Sequence, residues 1–255
     1  MNAGKGSIYL VPNTLDFGAP GEPADIGDLL PLGVLRIAAR LEHWVCENAK
    51  TTRAFLKRVD AVCPLARPLQ QMSIVELPRP VKGKVVQAAV SLVPLLVPAL
   101  AGHDIGLISE AGLPALADPG TRLVEDAHDA GVRVVALPGA SSVALAVAAS
   151  GLNGQSFAFV GYVPSDAAAR ATRLRELESL SRQHGQTQVI IETPYRNQAL
   201  LDALLAALQP QTSLAISIGL TLRSESTRSG PVAQWRSRPM RLPADVPAVF
   251  SLLAR

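Results

Sequence analysis

The residues of this chain best suited to chemistry lie in the run Ser109-Glu-Ala-Gly-Leu-Pro-Ala-Leu-Ala-Asp-Pro-Gly120, which follows directly on an apolar segment. It combines two carboxylates and two prolines with small residues. A loop of this kind lets a ligand approach backbone N–H and C=O groups closely, because Ala111 and Gly112 present little side chain. Asp118-Pro-Gly in the same run also has a plainer use: its oxygen can cap a helix starting near Thr121. One apolar segment later, Leu137-Pro-Gly-Ala-Ser-Ser142 repeats the arrangement. Ser141 is placed to cap a helix, or to set a hydroxyl and helix N-terminal N–H groups against the polar edge of a ligand, and the two uses are compatible. Glu192 emerges from a third apolar segment, where an unpaired carboxylate is costly, so a partner such as Arg196 or a ligand is expected.

Other chemistries lack their signatures. No GxGxxG follows an apolar run, no GxxxxGK[ST] is present, and His43, His103, His128 and His184 show no metal-ligand spacing with one another or with cysteine. Ser141 sits in Gly139-Ala-Ser-Ser-Val, which is not the GxSxG of a nucleophilic elbow. Nicotinamide, P-loop, zinc and serine-hydrolase readings therefore fall away, and no metal is expected.

The elements that must carry these loops read as alternating strands and helices. Ile8–Val11, His43–Cys46, Ser73–Leu77, Asp104–Ser109 and Arg133–Leu137 read as short strands. Between them, helices are predicted over Gly33–Arg40, Thr51–Val59, Lys82–Ala101 with proline interruptions, and Thr121–Ala130, with another opening at Ser141. Strand, glycine turn and helix occur twice in succession, which implies parallel strands with right-handed crossovers and ligands gathered at their carboxyl ends. Beyond Gly151 the pattern changes. Strands are predicted at Phe157–Tyr162, Gln188–Glu192, Leu214–Ile218 and Val246–Leu253, with helices at Ala167–Arg182 and Gln198–Leu208, as for a separate mixed sheet. The expectation is α/β with two domains, residues 1–139 and 140–255, the boundary lying between Pro114 and Gln155.

Composition sets wide limits. The chain has 255 residues, 48% of them hydrophobic and 4% aromatic, which is enough apolar material for two cores, with order expected outside the tail Met1–Lys5. Its 24 Lys and Arg against 21 Asp and Glu give a net charge of +3, too small to declare a nucleic-acid partner. Most of the cations are arginine, suited to gripping phosphate or carboxylate with a two-pronged donor set, although the majority are expected to be solvated helix charges. The only two cysteines, Cys46 and Cys63, are not in a CxxC spacing, and Cys46 reads as buried strand, so a reducing cytoplasm is expected. Residues 1–30 lack a signal or anchor pattern. The apolar segment Val85–Gly102 is broken by Pro94 and Pro98, so it reads as a buried helix and not a membrane span.

Several runs resemble, in order and spacing, the tetrapyrrole methylase superfamily: Ile108–Gly120, Val134–Ser142, Gly151-Leu-Asn, Phe157–Pro164 and Glu192-Thr-Pro-Tyr-Arg196. The resemblance covers roughly residues 7–253. It is closest to the branch that methylates a ribose 2′-hydroxyl of a cytidine in small-subunit ribosomal RNA, and to uncharacterised relatives of that branch. It implies two α/β domains, a homodimer, no metal, and S-adenosylmethionine bound folded in the cleft between the domains. The cofactor contacts it implies are Pro12, Ser109, Glu110, Ala111, Gly112, Leu113, Ser141, Ser142, Ile191, Glu192, Thr193, Leu222, Pro247 and Ala248. A sulfonium methyl is already strongly electrophilic. The protein then has to hold an acceptor in line, exclude water and, for a hydroxyl acceptor, supply a base. Candidate bases and orienters are Glu47, Arg53 and Glu192.

The chain also departs from this pattern. Glu47-Asn-Ala-Lys-Thr-Thr-Arg53 stands where the ribosomal branch carries Glu-Asp-Thr-Arg-x-Thr-Arg, so Asn48 replaces an acidic residue and Lys50 an arginine. An ordinary helix-start charge for Glu47 and a solvated charge for Arg53 are the plain alternatives. The glycine-rich first loop of the family is Pro12-Asn-Thr-Leu-Asp-Phe-Gly18 here, which implies a rebuilt acceptor end. Three functions follow. One is an O-methyltransferase acting on RNA or a nucleotide, with Lys50, Arg53, Lys57, Arg58, Arg79, Lys82 and Lys84 lining a groove. The second is a methyltransferase for a small molecule such as a tetrapyrrole, and the third a non-catalytic module binding S-adenosylmethionine or RNA.

Overall fold

The computed structural model describes residues 4–16, 24–78 and 91–255, and these form two compact units. Residues 4–16 with Ala24–Ala140 make up the first, and Ser141–Arg255 the second. Residues 1–3 of the predicted tail, the end of the first loop, Arg79, Lys82, Lys84 and the first part of the helix predicted over Lys82–Ala101 lie outside the described residues.

The first unit is a five-stranded sheet of β1 (Ser7–Leu10), β2 (His43–Cys46), β3 (Ser73–Glu76), β4 (Ile105–Ile108) and β5 (Arg133–Ala136), in the order β3-β2-β4-β1-β5. All of its pairings are parallel. The central β4, Ile-Gly-Leu-Ile, is buried along its whole length, as expected of an apolar run covered on both faces. Gly106 within it is required by packing, since a Cβ there would stand 2.7 Å from the ring of fully buried Trp44. The helices are α1 (Ile26–Leu29), α2 (Leu32–Arg40), α3 (Ala49–Asp60), α4 (Val97–Leu100) and α5 (Thr121–Asp129). Asn48 caps α3 by accepting from Lys50 N–H. The described part of the segment predicted as helical with proline interruptions to Ala101 is two short pieces, a 3-10 turn Val93–Leu96 and α4, each with proline in its first turn. Pro94 and Pro98 supply no N–H and so end the run they would otherwise continue. Lys5, expected in a disordered tail, is tied down by a 2.7 Å bond from Nζ to Ala130 O.

The second unit is a mixed sheet in the order β6-β7-β10-β8-β9, made of β6 (Phe157–Gly161), β7 (Thr187–Ile191), β8 (Ser213–Ile218), β9 (Ser226–Pro231) and β10 (Ala248–Leu253). Only β6 and β7 run parallel, and β10 pairs antiparallel with both β7 and β8. Its helices are α6 (Ser142–Ser150), α7 (Ala167–His184), α8 (Asn197–Ala207) and α9 (Val232–Ser237). Leu174, Leu177, Leu200, Leu201 and Leu204, all buried, pack on the sheet residues Ile190, Ile216 and Phe250. No strand was predicted at β9, whose sequence Ser-Thr-Arg-Ser-Gly-Pro lacks apolar alternation; its pairing with β8 and a Thr227–Ser217 hydroxyl bond of 2.9 Å hold it. Among the described residues no helix is long and apolar enough to cross a membrane.

Candidate functional site

Because the strands of the first unit run parallel, the loops that follow β1, β2, β4 and β5 all leave at one edge of its sheet. The loop after β1 is anchored by Asn13, which is 6% exposed. Its Nδ2 donates to Ser109 O and Glu110 O, each at 3.1 Å, its Oδ1 accepts from Thr14 N–H at 2.9 Å, and its own N–H donates to Gly112 O at 2.8 Å. The loop after β5 is drawn equally close. A Cβ on Gly139 would lie 2.2 Å from Pro12 Cβ, and one on Gly112 (φ +67°) would lie 3.2 Å from Leu15 and 3.5 Å from Ala140 O. The loops after β1 and β5 thus meet at Gly139 at a distance only glycine allows, and at Gly112 it is the positive φ that favours glycine. Ala115 (φ 62°) and Ala117 (φ 68°) add left-handed backbone to the Ser109–Gly120 loop, a conformation that costs a non-glycine residue about 1 kcal/mol and recurs at functional loops.

Three carboxylates gather on these loops. Glu47, just past β2, accepts from Glu110 N–H at 3.1 Å, and Thr51 Oγ1 comes within 3.5 Å of Glu110 Oε1. Capping of α5 was the plainer of two uses open to Asp118, but the cap position is Gly120 (φ +125°) and no side chain bonds the helix start. The Asp118 carboxyl instead bonds the Ser109 hydroxyl. Burial first, then the nearby charges of Glu47 and Glu110, pushes its pKa up to about 6, against the lowering effect of Ser109. Arg53 forms no ion pair with Glu47 or Glu110 among the described residues; it is exposed and bonds Ala49 O at 3.2 Å. Lys50, Arg53 and Lys57 are all exposed and share one face of α3. Arg58, expected among the same groove cations, points the other way: its guanidinium is spent on Thr14, Asp16 and Ala24 O. Burial pushes the Cys46 thiol up, away from thiolate chemistry.

At one edge of the second sheet stand the carried-over positions Ile191, Glu192, Thr193, Leu222, Pro247 and Ala248. Register places Val249 opposite Ile191 and Ala248 opposite Ile218, and Gly219 N–H bonds Pro247 O at 2.9 Å while Leu222 N–H bonds Gly219 O at 2.8 Å. Glu192 has the partner expected of it: Arg196 Nη2 lies 3.0 Å from Glu192 Oε2, and Thr193 N–H donates to the other carboxylate oxygen at 2.8 Å. Ser141 and Ser142 open α6, where Ser141 Oγ accepts from Ala144 N–H at 3.4 Å. Among the described residues no group of three or more His, Cys, Asp or Glu is arranged to hold a metal ion.

Sequence reasoning missed Asn13, Thr14, Asp16 and the inward turn of Arg58. The only local signal was a polar cluster directly after an apolar strand, because the partners of these residues are about 40 to 100 positions away.

Comparison with known proteins places the chain. Residues 23–235 match the model of the tetrapyrrole (corrin/porphyrin) methylases. A protein of Mesorhizobium japonicum named ribosomal RNA small subunit methyltransferase I is 40% identical over 138 residues, covering 54% of this chain and 46% of that protein. One of the same name from Halalkalibacterium halodurans is 28% identical over 204 residues, covering 80% of this chain and 61% of that one. The chain thus spans about half the length of curated relatives it matches. Uroporphyrin-III-C-methyltransferase from Thermus thermophilus has the same fold, with a TM-score of 0.53 at 21% identity, over 98% of this chain and 94% of that one. The two sheets, the glycine-lined loop edge and the match over most of the chain agree: it belongs to the tetrapyrrole (corrin/porphyrin) methylase family.

Proposed function

We propose that this chain is an S-adenosylmethionine-dependent methyltransferase whose acceptor is a ribose hydroxyl of RNA. The observation that carries the reading is the loop edge of the first unit, where Glu47, Glu110 and Asp118 converge on loops that Gly112 and Gly139 let pack closely together. Like charges brought together with no offsetting cation among the described residues favour a cationic ligand, and the donor's sulfonium is one. The fit is one of charge. Pro12 and Ser109–Leu113 are the residues of this unit that would hold the donor, and Ser141, Ser142, Ile191–Thr193, Leu222, Pro247 and Ala248 enter the proposal on the resemblance alone. When bound, the donor supplies an electrophilic methyl group, leaving the protein to orient the acceptor and take up its proton.

For that proton we assign Asp118, whose pKa of about 6 leaves it ionised yet basic at neutral pH. Glu47 holds the loop, since its carboxylate is engaged with Glu110 N–H. Glu192 is satisfied by Arg196 and Thr193 and steadies its own edge. The relatives named for ribosomal RNA methylation support an RNA acceptor, and so does the exposed face of Lys50, Arg53 and Lys57 on α3, where Arg53 meets phosphate and takes no part in the chemistry. A homodimer working in the cytoplasm belongs to the same proposal.

Calorimetry with S-adenosylmethionine comes first, followed by transfer of labelled methyl groups into separated RNA and small-molecule pools from cells lacking the protein. Label is expected in RNA, and RNA affinity should fall steeply with salt. Label confined to the small-molecule pool would overturn the acceptor; no heat on adding the donor would overturn the whole reading.

A further inference from the structure

The Ser109–Gly120 loop does not hold its shape alone. Its carbonyls at Ser109, Glu110 and Gly112 all bond Asn13, the first two through the side-chain amide and the third through the main-chain N–H. Peptide groups here are planar and trans, so each carbonyl turned toward Asn13 turns the next N–H away from it. The N–H of Glu110 is thereby aimed at Glu47, 3.1 Å away. The N–H groups of Ala111 and Leu113 also face away from Asn13, and neither bonds a carbonyl among the described residues. Two backbone donors left over in a glycine-containing loop are what an acceptor group on a ligand requires.

Asn13 is itself held in turn. Its Oδ1 accepts from Thr14 N–H, and the Thr14 hydroxyl donates to Asp16 Oδ1. Arg58 of α3 closes the chain: Nη1 donates to Thr14 Oγ1 at 3.1 Å and Asp16 Oδ1 at 3.4 Å, and Nη2 to Asp16 Oδ2 at 3.1 Å and Ala24 O at 2.9 Å. All four terminal N–H bonds of the guanidinium are used, and the Asp16 side chain is only 9% exposed. A solvated arginine makes no such set.

We infer that Asn13 and Arg58 are positioning residues for methyl-donor binding: Arg58 fixes the loop after β1, and Asn13 turns the peptides of residues 109–113 so that their free N–H groups face the ligand. The inference rests on the reading that this loop seats the donor. Neither residue needs to touch the donor.

The test is calorimetry with S-adenosylmethionine on the full chain and on Asn13→Asp, Arg58→Lys and Thr14→Ser, with amide hydrogen exchange at Glu110 beside it. Asn13→Asp sets a carboxylate oxygen against two carbonyls, and is expected to weaken donor binding by about 10-fold or more and to release the protected Glu110 amide. Arg58→Lys keeps the charge but loses the fork, and a loss of about 3- to 10-fold is expected. Thr14→Ser keeps its hydroxyl and should bind within about 2-fold of the unaltered chain. Arg58→Lys, altered at a partly exposed position, reads the same chain of bonds should Asn13→Asp not fold. Melting temperatures separate the two kinds of role: a purely structural one moves the melting point and leaves the donor affinity of the folded fraction alone. Folded Asn13→Asp or Arg58→Lys protein with unaltered donor affinity overturns the inference by itself. Absence of binding by the unaltered chain overturns the donor reading, and the inference with it.

Discussion

Replacing Asp118 by Asn should make the protein more stable above neutrality and less able to bind its ligand. The Asp118 carboxyl has its pKa pushed from 3.8 up to about 6 by burial and by Glu47 and Glu110. A group with a raised folded pKa contributes stability that is fully present below about pH 4, where the unfolded chain is protonated too. That contribution is lost as pH rises through about 6. Two pKa units set a ceiling of about 3 kcal/mol, and solvent screening of a carboxyl that is only partly buried brings this down to about 1–2 kcal/mol. The amide of Asp118→Asn still accepts from the Ser109 hydroxyl, and it carries no charge to be repelled. At about pH 8 the variant is expected to melt about 4 °C above the unaltered protein, and at about pH 3.5 the two should nearly coincide. Scanning calorimetry at both pH values measures the difference. A variant less stable at pH 8, or a gain equal at both, would refute the electrostatic account of this loop. The same account predicts that donor affinity of the unaltered protein falls as pH is lowered through about 6, and that the variant loses this dependence.

Two further substitutions probe the two loop edges. Gly139→Ala puts a methyl group 2.2 Å from Pro12 Cβ, so backbone must move; a loss of about 1–3 kcal/mol and weaker donor binding are expected, and calorimetry giving unchanged melting and affinity would contradict the close approach. Arg196→Met strands the Glu192 carboxylate, whose side chain is 2% exposed, and should cost about 3 kcal/mol in urea unfolding, more than Glu192→Gln, whose side-chain oxygen still accepts from Thr193; equal losses would count against a buried ion pair.

Much of the fold was legible locally. His43–Cys46 and the five-residue β7 could be read from apolar runs, and α7 from its helix-forming composition, its Asp166 cap and Gly185 at its end, because apolar burial and helix ends are written in adjacent residues. The polar strand β9 and the short helix α9 were not legible. β9 exists because β8 offers it a free edge, and α9 because Trp235 is buried with its ring N–H on Leu214 O and Arg228 stacked 4.1 Å above it.

The sequence by itself marked the loops that make up the candidate site, because small residues, glycines and carboxylates stand together directly after apolar strands. What each side chain does there was decided only by the tertiary structure. Asp118, open in sequence to a helix cap or a ligand loop, became a carboxyl facing Glu47 and Glu110, and Arg58, read among cations lining a groove, became the clamp on Asp16. A backbone position has local preferences that neighbouring residues reveal. A charge takes its pKa and its partners from whatever the fold brings within a few ångströms, and those groups come from strands and helices far along the chain.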